Sequence, residues 1–448
     1  MPKRNALKTH KTDWMEQWIA LFIPLYLLFP GFSGYTSISG AKTLLFYGLA
    51  GLLLILSVLL LIRDWKENKR RGLSLSQAAA LFFLLFTLLS AILSSTAKGN
   101  PWYDSTAHEA ALTVSLYVLL FLTVSRWSRP TERLFRVLFW SVAVFAALCL
   151  LQIPGWNPLG LYPKGLNFYD GYGVKYKGAY AGTIGNVDIV SAFLALAVPM
   201  LLLHTRGQKP GEAWPCWLLA GLCVGIMFWI RVLCGLVGLA LGGVICLLVL
   251  CPDKTRKWLL PALALLALLG LALLWFFDLP IGMLHELHEI LHGRLEDSFG
   301  TGRIYIWRQM LERIPDRLML GVGPDMARYS ELSPFIRYDE AGAVAARATI
   351  TDAHCYPLHI LYCQGLPALL SWLTVAGAAL AHWIRNRRDK ASALLGGGLV
   401  CFLCAMLFCL SSVIVMPFFW LSMGLIEARN ESLKNPPAGK NPAATKKK

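Results

Sequence analysis

Three short stretches carry residue types that can do chemistry. The first, "HEILH" at 288–292, fits H-E-x-x-H. Its two histidines stand one helical turn apart, the spacing at which two imidazoles grip zinc while a glutamate serves as base. The second, "GTGRIYIWR" at 300–308, sets Arg303 directly after a glycine-rich turn. It lies in a segment, 278–353, with eight arginines and no lysine. A guanidinium grips phosphate or carboxylate with two prongs, whereas an ammonium is a point charge. The twelve acids of the same segment are the competing partners for those arginines. The third, "TDAHCYPLH" at 351–359, puts His354 at the mouth of an apolar run. An imidazole with an unperturbed pKa of about 6.5 suits proton removal from a hydroxyl near neutrality. Five residues on, His359 is a weaker candidate. Arg231, in "WIRVLCGL", stands at the edge of another apolar run. There an arginine either serves function or snorkels to the interface.

The elements that must position these residues are apolar helices. Of the 448 residues 56% are hydrophobic and only 15% charged, with mean hydropathy +0.55. Soluble domains carry about 25% charged residues. Reading for runs of about 20 apolar residues predicts an all-α polytopic membrane protein. Its twelve spans fall near 14–31, 41–62, 73–95, 107–125, 132–153, 186–204, 213–230, 231–250, 257–277, 354–384, 391–410 and 412–427. The first run lacks a small-residue cleavage site and is expected to be a retained span. The net charge of +16 follows the positive-inside rule rather than nucleic-acid binding. Basic connectors such as "RDWKENKRR" (63–71), "PDKTRK" (252–257) and "RNRRDK" (385–390) alternate with poorly basic ones. Both termini are therefore expected in the cytoplasm. The 278–353 loop and an aromatic loop at 154–185 are expected outside.

The domain plan is spans one to nine in 1–277, a large helical extracytoplasmic loop at 278–353, three spans in 354–427, and a disordered basic tail at 428–448. The eleven cysteines lie almost all within apolar runs and read as small hydrophobes. "CFLC" at 401–404 falls inside such a run, with no second pair to make a metal site.

Taken in order, the motifs resemble the O-antigen ligase family. The matching residues are Gly182, Thr183, Gly185 and Asn186; Gly300, Thr301, Gly302, Arg303 and Trp307; Gly321, Gly323 and Pro324; Ala353 and His354; and Gln364, Gly365 and Leu366. The resemblance covers roughly 180–425. It implies a type C glycosyltransferase-like architecture and a plasma-membrane enzyme of polysaccharide biosynthesis. The enzyme would move a glycan from a polyprenyl-diphosphate carrier to a glycan or glycolipid acceptor hydroxyl, by inverting displacement with no metal or other cofactor. Arg231 and Arg303 would neutralise the diphosphate, and His354 would take the acceptor proton. Asn186, Asp188, Trp307 and Arg308 would contact substrate. Tyr172, Tyr176 and Tyr180, with Trp156, Tyr162 and Tyr169, could stack on sugars or form an interfacial belt. Two positions depart from the family pattern. The serine and glycine that often flank the first arginine are absent around Arg231, and Cys355 stands where asparagine usually follows the histidine.

Competing readings are a polymerase of the same superfamily, a transporter of glycolipid or a small anion, and a zinc peptidase. A transporter should show mid-membrane ionisable residues and a repeat between halves, and neither stands out. A zinc site at His288 and His292 lacks a third ligand in any distinctive context, Glu312 and Asp297 included. Leu284, Leu287, Leu291 and Leu295 instead form an apolar stripe beside His285, His288 and His292. That is the pattern of a helix lying on a membrane surface.

Overall fold

The computed structural model describes residues 13–31, 38–69, 72–94, 99–103, 108–154, 156, 159–160, 182–280, 282–338 and 344–435. Nine long helices come first: α1 (Trp14–Leu28), α2 (Ile38–Lys66), α3 (Leu75–Ile92), α4 (Ala111–Trp127), α5 (Glu132–Gln152), α6 (Val187–His204), α7 (Pro210–Trp229), α8 (Leu233–Leu250) and α9 (Asp253–Phe276). Then come two shorter ones, α10 (Gly282–Leu291) and α11 (Phe299–Leu311), and a hairpin of β1 (Phe335–Tyr338) and β2 (Val344–Ala348). The chain ends with α12 (Tyr356–Gln364), α13 (Leu366–Arg385), α14 (Lys390–Ala405) and α15 (Met416–Lys434).

Twelve of these helices, α1–α9 and α13–α15, stand at the twelve apolar runs. Eight of them, α2, α3, α5–α9 and α13, are long and apolar enough to cross a membrane, while α1, α4 and α14 are shorter apolar helices. At the centre, α6 is buried over almost its whole length against α14 and α8. Helix α8 also approaches α14 closely because it presents Gly238 and Gly242; a Cβ on Gly242 would lie 2.5 Å from Cys401 Cα. Small residues at such spacing let membrane helices meet backbone to backbone. At the edge, α9 has no buried residue although it is strongly apolar. Twenty-four residues of that kind facing outward suit lipid and not water. The chain is a polytopic membrane protein.

Three sequence expectations need correction. The predicted span at 354–384 is two helices. In one straight helix Tyr356 and Trp372 would lie about 24 Å apart at 1.5 Å per residue. Their rings instead meet edge to face at 5.3 Å, so α12 folds back along α13. The break is at Gly365 (φ 85°), followed by Pro367, which cannot donate into a continuing helix. The large loop is not purely helical, since Phe335–Tyr338 pairs antiparallel with Val344–Ala348, with a bulge at Arg337/Tyr338. Finally, the last helix runs to Lys434 rather than stopping at 427, so the first residues of the expected disordered tail are ordered. Arg429 there pairs with Asp389, and Asn430 accepts from Asn386.

Candidate functional site

Helix ends α1, α3, α5, α7 and α14 and helix starts α4, α6 and α8 share one end of the bundle, and the motifs cap it. In the "GTIGN" turn, Gly182 N–H donates to Gln152 Oε1 (2.9 Å) and Thr183 Oγ1 to Leu27 O (2.7 Å). Asn186 caps α6: its Oδ1 accepts from Asp188 N (2.9 Å) and Ile189 N (3.3 Å). Asp188 O accepts the thiols of Cys234 and Cys409, which ties the α7–α8 turn and the segment after α14 to the same spot.

Arg231 forms that α7–α8 turn. Its φ is 55°, left-handed, and its side chain is exposed with no hydrogen bond or ion pair among the described residues. The "GTG" before Arg303 is three consecutive left-handed residues: Gly300 (61°), Thr301 (61°) and Gly302 (90°). Two features hold this turn. Glu286 of α10 accepts Gly300 N–H (3.0 Å). Arg303 then reaches back, donating from Nη1 to Gly300 O (2.7 Å) and Thr301 Oγ1 (3.0 Å), and from Nη2 to Phe408 O (3.2 Å). Its Nε is buried without a partner.

Downstream, the "GVGP" turn caps the end of α12. A helix leaves its last carbonyls unpaired; here Tyr362 O accepts from Val322 N (3.1 Å) and Cys363 O from Gly323 N (2.8 Å). Only glycine fits this junction. Gly321 has φ 64°, and a Cβ there would fall 2.4 Å from the Cys363 carbonyl carbon. Gln364 accepts from Thr87 Oγ1 of α3 (2.7 Å).

The start of α12 is anchored as firmly. Tyr356 N–H donates to Met406 O (2.9 Å), Trp307 Nε1 to Ala353 O (2.8 Å), and His354 N–H to Asp352 Oδ1 (2.6 Å). His354, in the turn ahead of α12, is itself left-handed (φ 48°). Its ring is partly open to solvent, while Nδ1 is buried with no partner. Burial lowers its pKa; the Asp352 and Asp188 carboxylates oppose that shift and the Arg303 charge adds to it. Cys355 is the N-cap of α12 and makes no side-chain cap bond.

Arg303 and Asp188 are thus both within electrostatic reach of His354, at the end of the bundle where Arg231 turns. Trp307 belongs to the site through Ala353. Arg308 stands apart, exposed and paired with Asp297. Tyr162, Tyr169, Tyr172, Tyr176 and Tyr180 lie outside the described residues, and Trp156 is exposed. The "HEILH" rings are engaged elsewhere. His288 Nδ1 meets Leu274 O (2.7 Å), His292 Nδ1 meets His288 O (2.8 Å), and the His292 ring stacks on Trp275. Among the described residues no three His, Cys, Asp or Glu are grouped to hold a metal.

Sequence reasoning did not single out Asp352, Asp325 or Glu286. The first two had only their place beside motif residues to mark them, and nothing in the sequence ties Glu286 to Gly300 fourteen residues away.

No curated protein matches the chain. Residues 218–373, roughly a third of the chain, match the family model described as O-Antigen ligase. That stretch runs from within α7 into α13 and contains Arg231, Arg303, Trp307 and His354: over these residues the chain is similar to the O-antigen ligase family, while Asn186, Asp188, Met406 and Phe408 join the site from outside the matched stretch.

Proposed function

We propose that the protein transfers a glycan from a polyprenyl-diphosphate carrier to an acceptor hydroxyl at the outer face of the plasma membrane, without a metal. The carrying observation is the pairing of Arg303 and His354. Each sits at or beside a left-handed turn, and each keeps one buried nitrogen, Nε and Nδ1, unbonded by protein. Buried polar groups are nearly always paired, and strained backbone collects at functional sites. Here both features fall on the two residues that the chemistry asks for.

In the reaction His354 accepts the acceptor's hydroxyl proton. The acceptor oxygen bonds the anomeric carbon from the face opposite the carrier, and the bond to the diphosphate breaks. Arg231 and Arg303 stabilise the departing anion, as preorganised charge aimed at the developing negative charge. Asp188 lies near enough to act on the His354 ring by charge. Asn186 holds the α6 end that carries Asp188.

The orientation follows from charge. At the opposite end of the bundle the basic connectors meet: Arg206 donates to Arg387 O and Lys390 pairs with Glu132. Placing that end in the cytoplasm puts both termini inside and the 278–353 loop outside. Ligase and polymerase use share this site and differ in whether the acceptor is a separate molecule or the growing chain.

The test is expression of wild type, His354→Ala and Arg303→Ala in a host lacking its own glycan ligase and polymerase. Wild type should consume lipid-linked glycan and the variants should accumulate it. Transfer that survives both substitutions sinks the proposal.

A further inference from the structure

Beneath the His354 turn lies a buried ionic group that the proposed reaction does not use. His359, Asp325 and Asp352 are 3%, 2% and 6% exposed. His359 Nδ1 lies 3.4 Å from Asp352 Oδ2, and Nε2 lies 3.7 Å from Asp325 Oδ1. The other oxygen of each acid holds a backbone N–H. Asp352 Oδ1 accepts from His354 (2.6 Å), and Asp325 Oδ2 accepts from Glu109 at the start of α4 (3.2 Å). The Cys363 thiol adds a contact 3.6 Å from Nε2.

A neutral imidazole has a single N–H donor; the imidazolium has two and carries charge. Both nitrogens lie at ion-pair rather than hydrogen-bond distance from a carboxylate, so it is the charge of the imidazolium that holds the two acids. Two buried carboxylates without a cation between them would be strongly disfavoured. The group therefore works as one unit that reaches from α4, through the turn after Pro324 and through α12, to the His354 backbone.

A left-handed histidine persists only where its surroundings over-determine it. Three bonds hold this one: Trp307 on Ala353, Met406 on Tyr356, and Asp352 on His354 itself. Asp352 in turn is braced from below by His359. We infer that His359 is a positioning residue for the base, holding Asp352 where it fixes the His354 turn. This rests on His354 being the base, as proposed above.

The test is a double-mutant cycle in purified enzyme, with glycan transfer measured from the polyprenyl-diphosphate donor. His359→Gln should lower kcat by about 10- to 100-fold, since a 1 Å misplacement can cost about 100-fold. Donor KM should stay within about twofold, because His359 does not reach the diphosphate arginines. In a His354→Ala background the same substitution should cost nothing further. The pair Asp325→Asn/His359→Gln removes one buried charge with the cation, so it serves where the single variant folds poorly, and it should give the same kcat-only loss. An unchanged kcat in a folded His359 variant, or an equal loss in both backgrounds, overturns the inference. Should His354→Ala itself turn over normally, the base assignment fails first and this inference with it. If His354→Ala is slow and the His359 variants are not, the inference alone fails.

Discussion

The bond from Trp307 to the His354 turn gives the sharpest prediction. Trp307→Phe keeps an aromatic ring on α11 and removes one donor, the indole N–H that meets Ala353 O at 2.8 Å. Ala353 is fully buried, so its carbonyl is left without that donor. An orphaned buried acceptor costs about 1–3 kcal/mol. Trp307 is partly exposed, so water can replace some of the bond and the lower half of the range applies. About 1.4 kcal/mol is tenfold in population or rate. If the bond holds the productive turn, kcat should fall about tenfold with donor and acceptor KM little changed. The assay is release of polyprenyl diphosphate by purified enzyme at saturating substrates, alongside the thermal midpoint. Wild-type kcat with an unchanged midpoint refutes the reasoning. A raised acceptor or donor KM at constant kcat points the other way, to Trp307 contacting substrate directly, the role the family resemblance implied.

Four further outcomes follow from the same geometry. Arg303→Lys should lose at least 100-fold in turnover, because a single ammonium cannot span Gly300 O, Thr301 Oγ1 and Phe408 O as the fork does; a Lys variant within fivefold of wild type contradicts this. Cys355→Asn should raise stability by about 0.5–2 kcal/mol, since an asparagine oxygen at the α12 N-cap is a better acceptor than a thiol for the Leu358 N–H, the one donor left there once Tyr356 N–H bonds Met406 O and Pro357 has none, and thermal melts of the two proteins decide it. Because burial depresses the His354 pKa and the base must be neutral, kcat/KM should be flat around neutrality and fall as pH drops through a value below the ordinary histidine range; an acid limb above pH 7 is the contrary result. Prolonged chelation with EDTA should leave turnover unchanged, and loss that added zinc or magnesium restores would reopen metal chemistry.

Hydropathy located the long helices because lipid-facing and core-facing residues in a membrane are both apolar, so a span shows as one run whatever its surroundings. The same property hid the break at Gly365, which the run crosses without a change of character. Only the local "GLP" signal marked it, and a Gly-Pro pair inside a span is often tolerated. The extension of α15 to Lys434 depends on Asp389 and Asn386, forty and more residues away, which no local pattern reports. Motif order and position singled out the arginines and His354. Their supports were not. Asp325 and Asp352 read as ordinary loop acids, and His359 looked secondary, since burial of an ionic group is a tertiary fact.

The motif residues divide by physical role in a way their order along the chain conceals. Few of them keep side-chain nitrogens uncommitted to protein: Arg231, Arg303 at Nε and His354 at Nδ1. Many of the rest are spent on left-handed turns, of which three surround α12 and Arg303. Gly300 and Gly302 make the first, with Glu286 and the Arg303 fork closing it. Gly321 and Gly365 allow the loop to cap α12 at backbone contact. Asp352, Trp307 and Met406 O fix the turn at His354. A diphosphate leaving group develops charge only as its bond breaks, so catalysis needs charges that do not reorganise at that moment. Rigid turns hold side chains more closely than free loops do, at the expense of unfavourable backbone angles. Under the proposed reaction, that accounts for left-handed φ at Arg231, Thr301 and His354, where glycine would be easier but would carry no side chain.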